Sequence, residues 1–219
     1  MKPSLVTFDL DGTLIRNTTS TQLLCWLNGK KSEAQEVVEQ IFNGSLDWIE
    51  ADYMIAKLMK GIREDDIDGF FGEHAIIIDG LSQLLKELDD RDIPAIVVTT
   101  GPKEVAECVK RRWPFKAAYG GTYEKIDGCF TGEISRHLMH HGGKYACVEA
   151  YARQNGLDMT SFVAVGDSYS DLELFSHCAH SVAINYTQDM VGHASLYYKT
   201  ENIMDILPAL TTDLFTIKV

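Results

Sequence analysis

The sequence predicts an α/β domain built on a central parallel sheet, with a helical segment inserted after its first strand. Three observations carry that reading. Short apolar runs alternate with stretches that place apolar residues at helical spacing. The runs are apolar throughout rather than alternating, as in strands covered on both faces. One long interval, residues 16–78, holds helical patterns and no convincing strand.

The first run is Leu5-Val6-Thr7-Phe8, followed much later by Ala95-Ile96-Val97-Val98-Thr99 and Phe162-Val163-Ala164-Val165-Gly166. Ser181-Val182-Ala183-Ile184 and Leu196-Tyr197-Tyr198 complete the set. Helices are expected over Leu81–Arg91, Lys103–Trp113, Lys144–Asn155 and Leu172–His177. Pro102 is placed in the first turn of the second helix, where a missing N–H has no partner to lose. Residues 119–134 predict a β-hairpin of structural role, with Asp127-Gly128 at its turn. Residues 1–15 and 79–219 then form one core, and residues 16–78 an inserted cap.

Composition limits the partners. The chain has 219 residues, 45% hydrophobic and 24% charged, as in an ordinary globular protein. Its net charge of −12, from 20 Lys+Arg against 32 Asp+Glu, disfavours nucleic acid and anionic membrane as partners. The same charge repels a phosphorylated small molecule, so a site for one must supply local positive charge through a metal or a lysine. No leader pattern and no run of 18 apolar residues occurs, so a cytoplasmic location is expected. The five cysteines (Cys25, Cys108, Cys129, Cys147, Cys178) are widely spaced and are read as free, mostly buried thiols.

Three strands end in polar residues that can serve one reaction. The first is followed by Asp9 and Asp11, the second by Thr99-Thr100-Gly101, and a later one by Gly166-Asp167-Ser168-Tyr169-Ser170-Asp171. In an open parallel sheet the carboxyl ends of the strands line a common crevice. Asp9, Asp11, Asp167 and Asp171 would crowd there, and like charges at close range cannot all stay ionised without compensation. A hard divalent cation such as Mg²⁺ resolves the conflict, because it takes carboxylate oxygens together with substrate phosphate. Side chains two apart on an extended strand share a face, so Asp9 and Asp11 can both face the crevice. One can attack phosphorus while the other carries a proton. A neutral Asp11 requires an upward pKa shift, expected from its charged neighbours. Thr99 and the N–H groups of Thr100 and Gly101 can hold phosphate oxygens, and Lys144 can neutralise developing charge.

The run Asp9-Leu10-Asp11-Gly12-Thr13 resembles the first motif of the haloacid dehalogenase (HAD) superfamily. Thr99, Lys144 and the Gly166-Asp167…Asp171 group are similar to its other three motifs, in order and in context. The resemblance implies a Rossmann-like core in which Asp9 forms an aspartyl-phosphate and Asp11 is the acid/base. It also implies Mg²⁺ held by Asp9, the backbone carbonyl of Asp11, and Asp167. Thr13 and Asp171 would support the site, Asp171 by orienting Lys144. The helical insertion is similar to the C1 cap of phosphoserine phosphatase-like members.

The chain departs from those relatives where they read phosphoserine. Thr18 stands where they carry the amine-binding Glu, and Ile55 where they carry a carboxylate-binding Arg. Ser170 replaces the Asn of their last motif. The expectation is a phosphatase acting on a small phosphorylated metabolite other than phosphoserine. The same residues would serve phosphoryl transfer to a sugar or alcohol, and a catalytically silent relative would be a binding protein. His137, His140 and His141 lack the spacing of helical metal ligands and are read as solvated or packing residues. The cap aromatics are read as bundle core, with Trp48 evenly divided between core and substrate contact.

Overall fold

In the computed structural model, which describes residues 2–139 and 143–211, β1 (Leu5–Phe8) lies at the centre of a seven-stranded sheet. β2 (Ala95–Pro102) flanks it on one side and β5 (Phe162–Gly166) on the other, both parallel. Beyond β2 lie β3 (Ala117–Ile126) and β4 (Cys129–Arg136); beyond β5 lie β6 (His180–Ile184) and β7 (Leu196–Tyr198). β4 pairs antiparallel with β3, and the other described strand pairs are parallel.

The two-residue period of the strands divides the core into two layers. Val6, Phe8, Val97, Val163 and Val165 face one side. There they meet α5 (Leu81–Asp89), through Leu81, Leu84, Leu85 and Leu88, and α6 (Lys103–Arg112), through Val105 and Val109. Leu5, Ile96, Val98, Phe162 and Ala164 face the other side, against α7 (Gly143–Asn155) and α8 (Leu172–His177). A short helix, α9 (Leu207–Thr211), ends the described chain. β7 is the exception to two-sided burial. It is an edge strand, with Tyr197 37% exposed, so its apolar run does not report a covered strand.

Four helices intervene between β1 and α5: α1 (Ser20–Leu27), α2 (Lys31–Phe42), α3 (Trp48–Leu58) and α4 (Glu64–His74). Thr19 and Gln22 form a capping box that fixes where α1 begins. The entering and leaving chains run side by side, with hydrogen bonds from Arg16 N to Ile76 O (2.8 Å) and Ile78 N to Leu14 O (2.9 Å). Asp68 of α4 accepts from Arg111 and Arg112 of α6, at 2.8 and 2.6 Å.

Two local expectations change. β2 continues to Pro102, which sits at the N-cap of α6 and not in its first turn; the absent N–H is harmless in either place. The hairpin begins earlier than its turn chemistry indicates, because its first strand joins the main sheet beside β2. It also reaches the inserted helices. Phe130 N donates to Ile62 O and Gly61 N to Phe130 O, at 2.9 and 2.8 Å, and Glu64 N donates to Gly128 O at 2.9 Å. The hairpin is therefore a strap between insertion and core. All five cysteines are free. Among the described residues no helix is long and apolar enough to cross a membrane.

The hairpin turn has positive φ at both central residues, Asp127 (50°) and Gly128 (76°). A Cβ on Gly128 would meet no atom within 4 Å, so Gly128→Ala isolates the backbone cost. Urea unfolding should show a loss of about 1 kcal/mol. An unchanged midpoint would mean that this turn does not set the hairpin.

Candidate active site

Asp9 follows the last residue of β1, its N–H bound to Val165 O at 2.9 Å, and its side chain is buried. Its Oδ1 accepts a hydrogen bond from Lys144 Nζ at 2.5 Å. The same ammonium reaches Asp171 Oδ1 at 2.6 Å, and Lys144 is 1% exposed. Asp171 ends a short 3₁₀ turn, Tyr169–Asp171. Its Oδ2 accepts from the N–H groups of Asp167 (3.0 Å) and Ser168 (3.2 Å), so both its oxygens are engaged. The segments after β1 and β5 and the start of α7 thus converge on one ammonium.

Asp11 arrives by another route than the pleat. β1 ends at Phe8, and a tight turn follows in which Leu14 N and Ile15 N both donate to Leu10 O at 2.9 Å. Gly12 has φ +84°, and a Cβ there would stand 2.2 Å from Asp167 Oδ2. Only glycine lets the turn pass so close to that carboxylate. The turn delivers Asp11 to Ser20, at the start of α1: Ser20 N donates to Oδ1 at 2.6 Å and Ser20 Oγ to Oδ2 at 2.5 Å. Ser20 is fully buried and went unnoticed in sequence, although the Thr19/Gln22 capping box marks it as the first helical residue.

Thr99 is buried at the end of β2, and its Oγ1 accepts from Gly101 N at 3.0 Å. The Gly101 N–H expected to hold phosphate is therefore taken by Thr99, whose own hydroxyl hydrogen remains to donate. Thr100 is half-buried. A Cβ on Gly101 would lie 2.0 Å from Ser20 Oγ and 3.2 Å from Asp11 Oδ2, so β2 abuts the Asp11–Ser20 pair. Thr13 is fully buried, and its Oγ1 has no hydrogen-bond partner among the described residues.

Four carboxylates here face one ammonium, and the imbalance appears in their protonation. Burial pushes Asp9 up to about 7 against the pull of Lys144, with Asp171 and Asp11 adding like charge. Asp167 stands well above the usual carboxylate range, through burial first and then Asp9 and Asp171. Burial pulls Lys144 down, but the charges of Asp171 and Asp9 outweigh it and hold the ammonium above its ordinary value. Asp11 is pushed up to about 6 by burial, while the Ser20 hydrogen bonds pull it down. Its rise comes first from desolvation; of the charged neighbours, which the sequence suggested as the cause, Lys144 opposes it and Asp52 adds a smaller part.

The cluster fits a hard cation. Asp9, Asp167 and Asp171 each offer an oxygen within 4.8 Å of the others. Asp167 Oδ1 is buried with no hydrogen-bond partner among the described residues, an arrangement that is costly unless a cation meets it. The Asp11 carboxylate, engaged by Ser20, lies outside this group.

A cap residue also meets the end of the hairpin. Asp52 of α3 meets His137, just beyond β4, with Oδ2 and Nε2 2.9 Å apart. His137 is buried and hydrogen-bonded to Asp52, so it is not solvated. His140 and His141 lie outside the described residues. Thr18 is half-buried and turns its hydroxyl to Thr19 O. Ile55 is buried within the apolar core, and Trp48, the first residue of α3, is 60% exposed. Separated by 85 residues, Asp52 and His137 carry no local sequence signal of their meeting.

Comparison with known proteins agrees with this architecture. Residues 6–176 match the family of haloacid dehalogenase-like hydrolases. A phosphoserine phosphatase of Methanocaldococcus jannaschii is 21% identical over 206 residues, covering 94% of this chain and 97% of its own. One from Streptomyces coelicolor is 25% identical over 181 residues, 83% of this chain, but the match spans only 44% of that longer protein. Among solved structures, a phospho-aspartyl intermediate analogue of phosphoserine phosphatase superposes with a TM-score of 0.82 at 20% identity. That match covers 96% of this chain and 100% of the other. A HAD family hydrolase from Salmonella enterica gives 0.84 at 17% identity, covering 97% and 72%. With the fold shared along nearly its whole length and the family match spanning most of it, this chain belongs to the haloacid dehalogenase-like hydrolases.

Proposed function

We propose that the protein is a Mg²⁺-dependent phosphomonoester hydrolase acting on a small phosphorylated metabolite, with Asp9 as nucleophile. The observation that carries this reading is the unequal engagement of the two aspartates. Both oxygens of Asp11 are held by Ser20, whereas Asp9 gives Oδ1 to Lys144 and keeps Oδ2 for attack.

Oδ2 of Asp9 attacks phosphorus, and the bond to the leaving alcohol breaks. Asp11, raised to about 6, carries the proton delivered to that oxygen. It then takes a proton from water, which attacks the aspartyl-phosphate and frees Asp9 and inorganic phosphate. Lys144 and the Thr99 hydroxyl hold phosphoryl oxygens, Thr100 lies beside them, and Asp171 keeps Lys144 aligned. Asp9, Asp167 and the Asp11 carbonyl are the proposed Mg²⁺ ligands. The ion, when bound, supplies positive charge for the phosphate oxygens. Phosphoserine is disfavoured as substrate, because Thr18 and the buried Ile55 offer no charge to its amine and carboxylate.

Hydrolysis of p-nitrophenyl phosphate should require Mg²⁺, stop with EDTA, and fall by about three orders of magnitude or more in Asp9→Asn. Activity surviving that substitution would remove Asp9 as nucleophile. Gly101→Ala pushes Ser20 Oγ off Asp11 and should lower kcat about a hundredfold, the scale of a small misplacement in an active site. A kcat equal to wild type would show that Ser20 does not position Asp11.

The cation also sets a pH dependence. Asp9, Asp11 and Asp167 have folded pKa values above those of an unfolded chain, near 4. The cation-free folded state therefore binds the extra protons, and its stability falls as pH rises from about 4 to about 7. Mg²⁺ replaces those protons, so its gain in thermal midpoint should be larger at about pH 8 than at about pH 5.5. A gain independent of pH would contradict the carboxylate site.

A further inference from the structure

We propose that Asp52 of the cap reads a positively charged group on the leaving alcohol, so that the preferred substrate is an O-phosphorylated amino alcohol lacking a carboxylate. This rests on the phosphatase reading above and names its substrate class. The geometry begins at His137. Its Nδ1 accepts from Met139 N at 3.2 Å, which assigns the ring proton to Nε2, and Nε2 donates it to Asp52 Oδ2 at 2.9 Å. A neutral imidazole orients the carboxylate without cancelling its charge. No other hydrogen bond to Asp52 exists among the described residues, which leaves Oδ1 for a ligand.

Asp52 is linked to the reaction centre through the residues around His137. Met139, whose N–H holds His137, lines a cavity together with Lys144, Tyr169 and Ser170. Tyr53, the residue after Asp52, lays its ring 5.8 Å from that of His137. Tyr123 of β3 is 3% exposed, and Asp52 and Asp11 both disfavour ionisation of its phenol, after burial itself. Asp52 likewise adds to the rise of Asp11. Asp52 is thus near enough for its charge to act on both Tyr123 and Asp11.

The position of the leaving group follows from the chemistry. With phosphorus at Asp9 and the leaving oxygen beside Asp11, the substituents of the alcohol extend toward the cap. There they meet a carboxylate whose side chain is 29% exposed and which has no Lys or Arg partner among the described residues. A protonated amine satisfies it by a charge-assisted hydrogen bond; a carboxylate on the substrate is repelled.

The test compares phosphoethanolamine with its uncharged counterpart, 2-hydroxyethyl phosphate, for the full chain and for Asp52→Asn. Asparagine still accepts from His137 but carries no charge. Wild type should favour the amine in kcat/KM by about tenfold or more. In Asp52→Asn the ratio should fall toward one, mainly through KM. A ratio near one in wild type overturns the proposal without relying on any variant. A ratio unchanged in Asp52→Asn, with both substrates lowered together, also overturns it and leaves Asp52 as a clasp between cap and hairpin. Hydrolysis of the uncharged ester with no preference for the amine leaves the phosphatase reading standing; hydrolysis of neither ester nor of p-nitrophenyl phosphate overturns both.

Discussion

The architecture of the site depends on one buried ammonium. Lys144 is almost wholly withdrawn from water, a position that only strong, well-placed anions can support. Asp9 and Asp171 supply them, and each belongs to a different segment of the chain. Because Asp171 also accepts from the N–H groups of Asp167 and Ser168, the ammonium fixes the loop after β5 as well as the residue after β1. The loss of Lys144 would leave these carboxylates buried, crowded and without a counter-charge.

That arrangement is overfilled with negative charge, and the excess suits the proposed chemistry. A single lysine beside four carboxylates leaves a site attractive to a divalent cation and, through it, to a phosphate that the acidic surface repels. The two aspartates of the turn are kept distinct by their partners. Ser20 holds Asp11 with two hydrogen bonds while burial raises it toward neutrality; Lys144 holds Asp9 with one oxygen left over. Environment, more than residue type, separates the proposed nucleophile from the proposed proton carrier. Since Ser20 opens the first cap helix, the cap enters the reaction centre at its first residue.

Much of this was legible in the sequence. The strands announced themselves as apolar runs because the sheet is covered on both faces, and Asp127-Gly128 announced the hairpin through its demand for positive φ. Asp9, Asp167 and Asp171 could be placed together because strand ends share a crevice, and Lys144 joined them through the resemblance to the family's motifs. What escaped were contacts without a local pattern. The Asp11–Ser20 pair depends on a glycine turn that rotates the chain out of the pleat. The strap between hairpin and cap is made of backbone hydrogen bonds, to which side-chain patterns are blind. The Asp52–His137 pair joins a cap helix to the far end of the hairpin. Burial, the chief cause of the raised Asp11, is a property of the assembled fold and leaves no mark in the spacing of charges.

The central claim is that Asp9 carries the phosphoryl group during turnover. It is tested most directly by quenching the protein in acid during hydrolysis with Mg²⁺ and sequencing its peptides by mass spectrometry. The account predicts one phosphoryl group on Asp9, formed and lost at rates that match turnover. Steady hydrolysis with no phosphoryl on Asp9, or with the group on another residue, would contradict it.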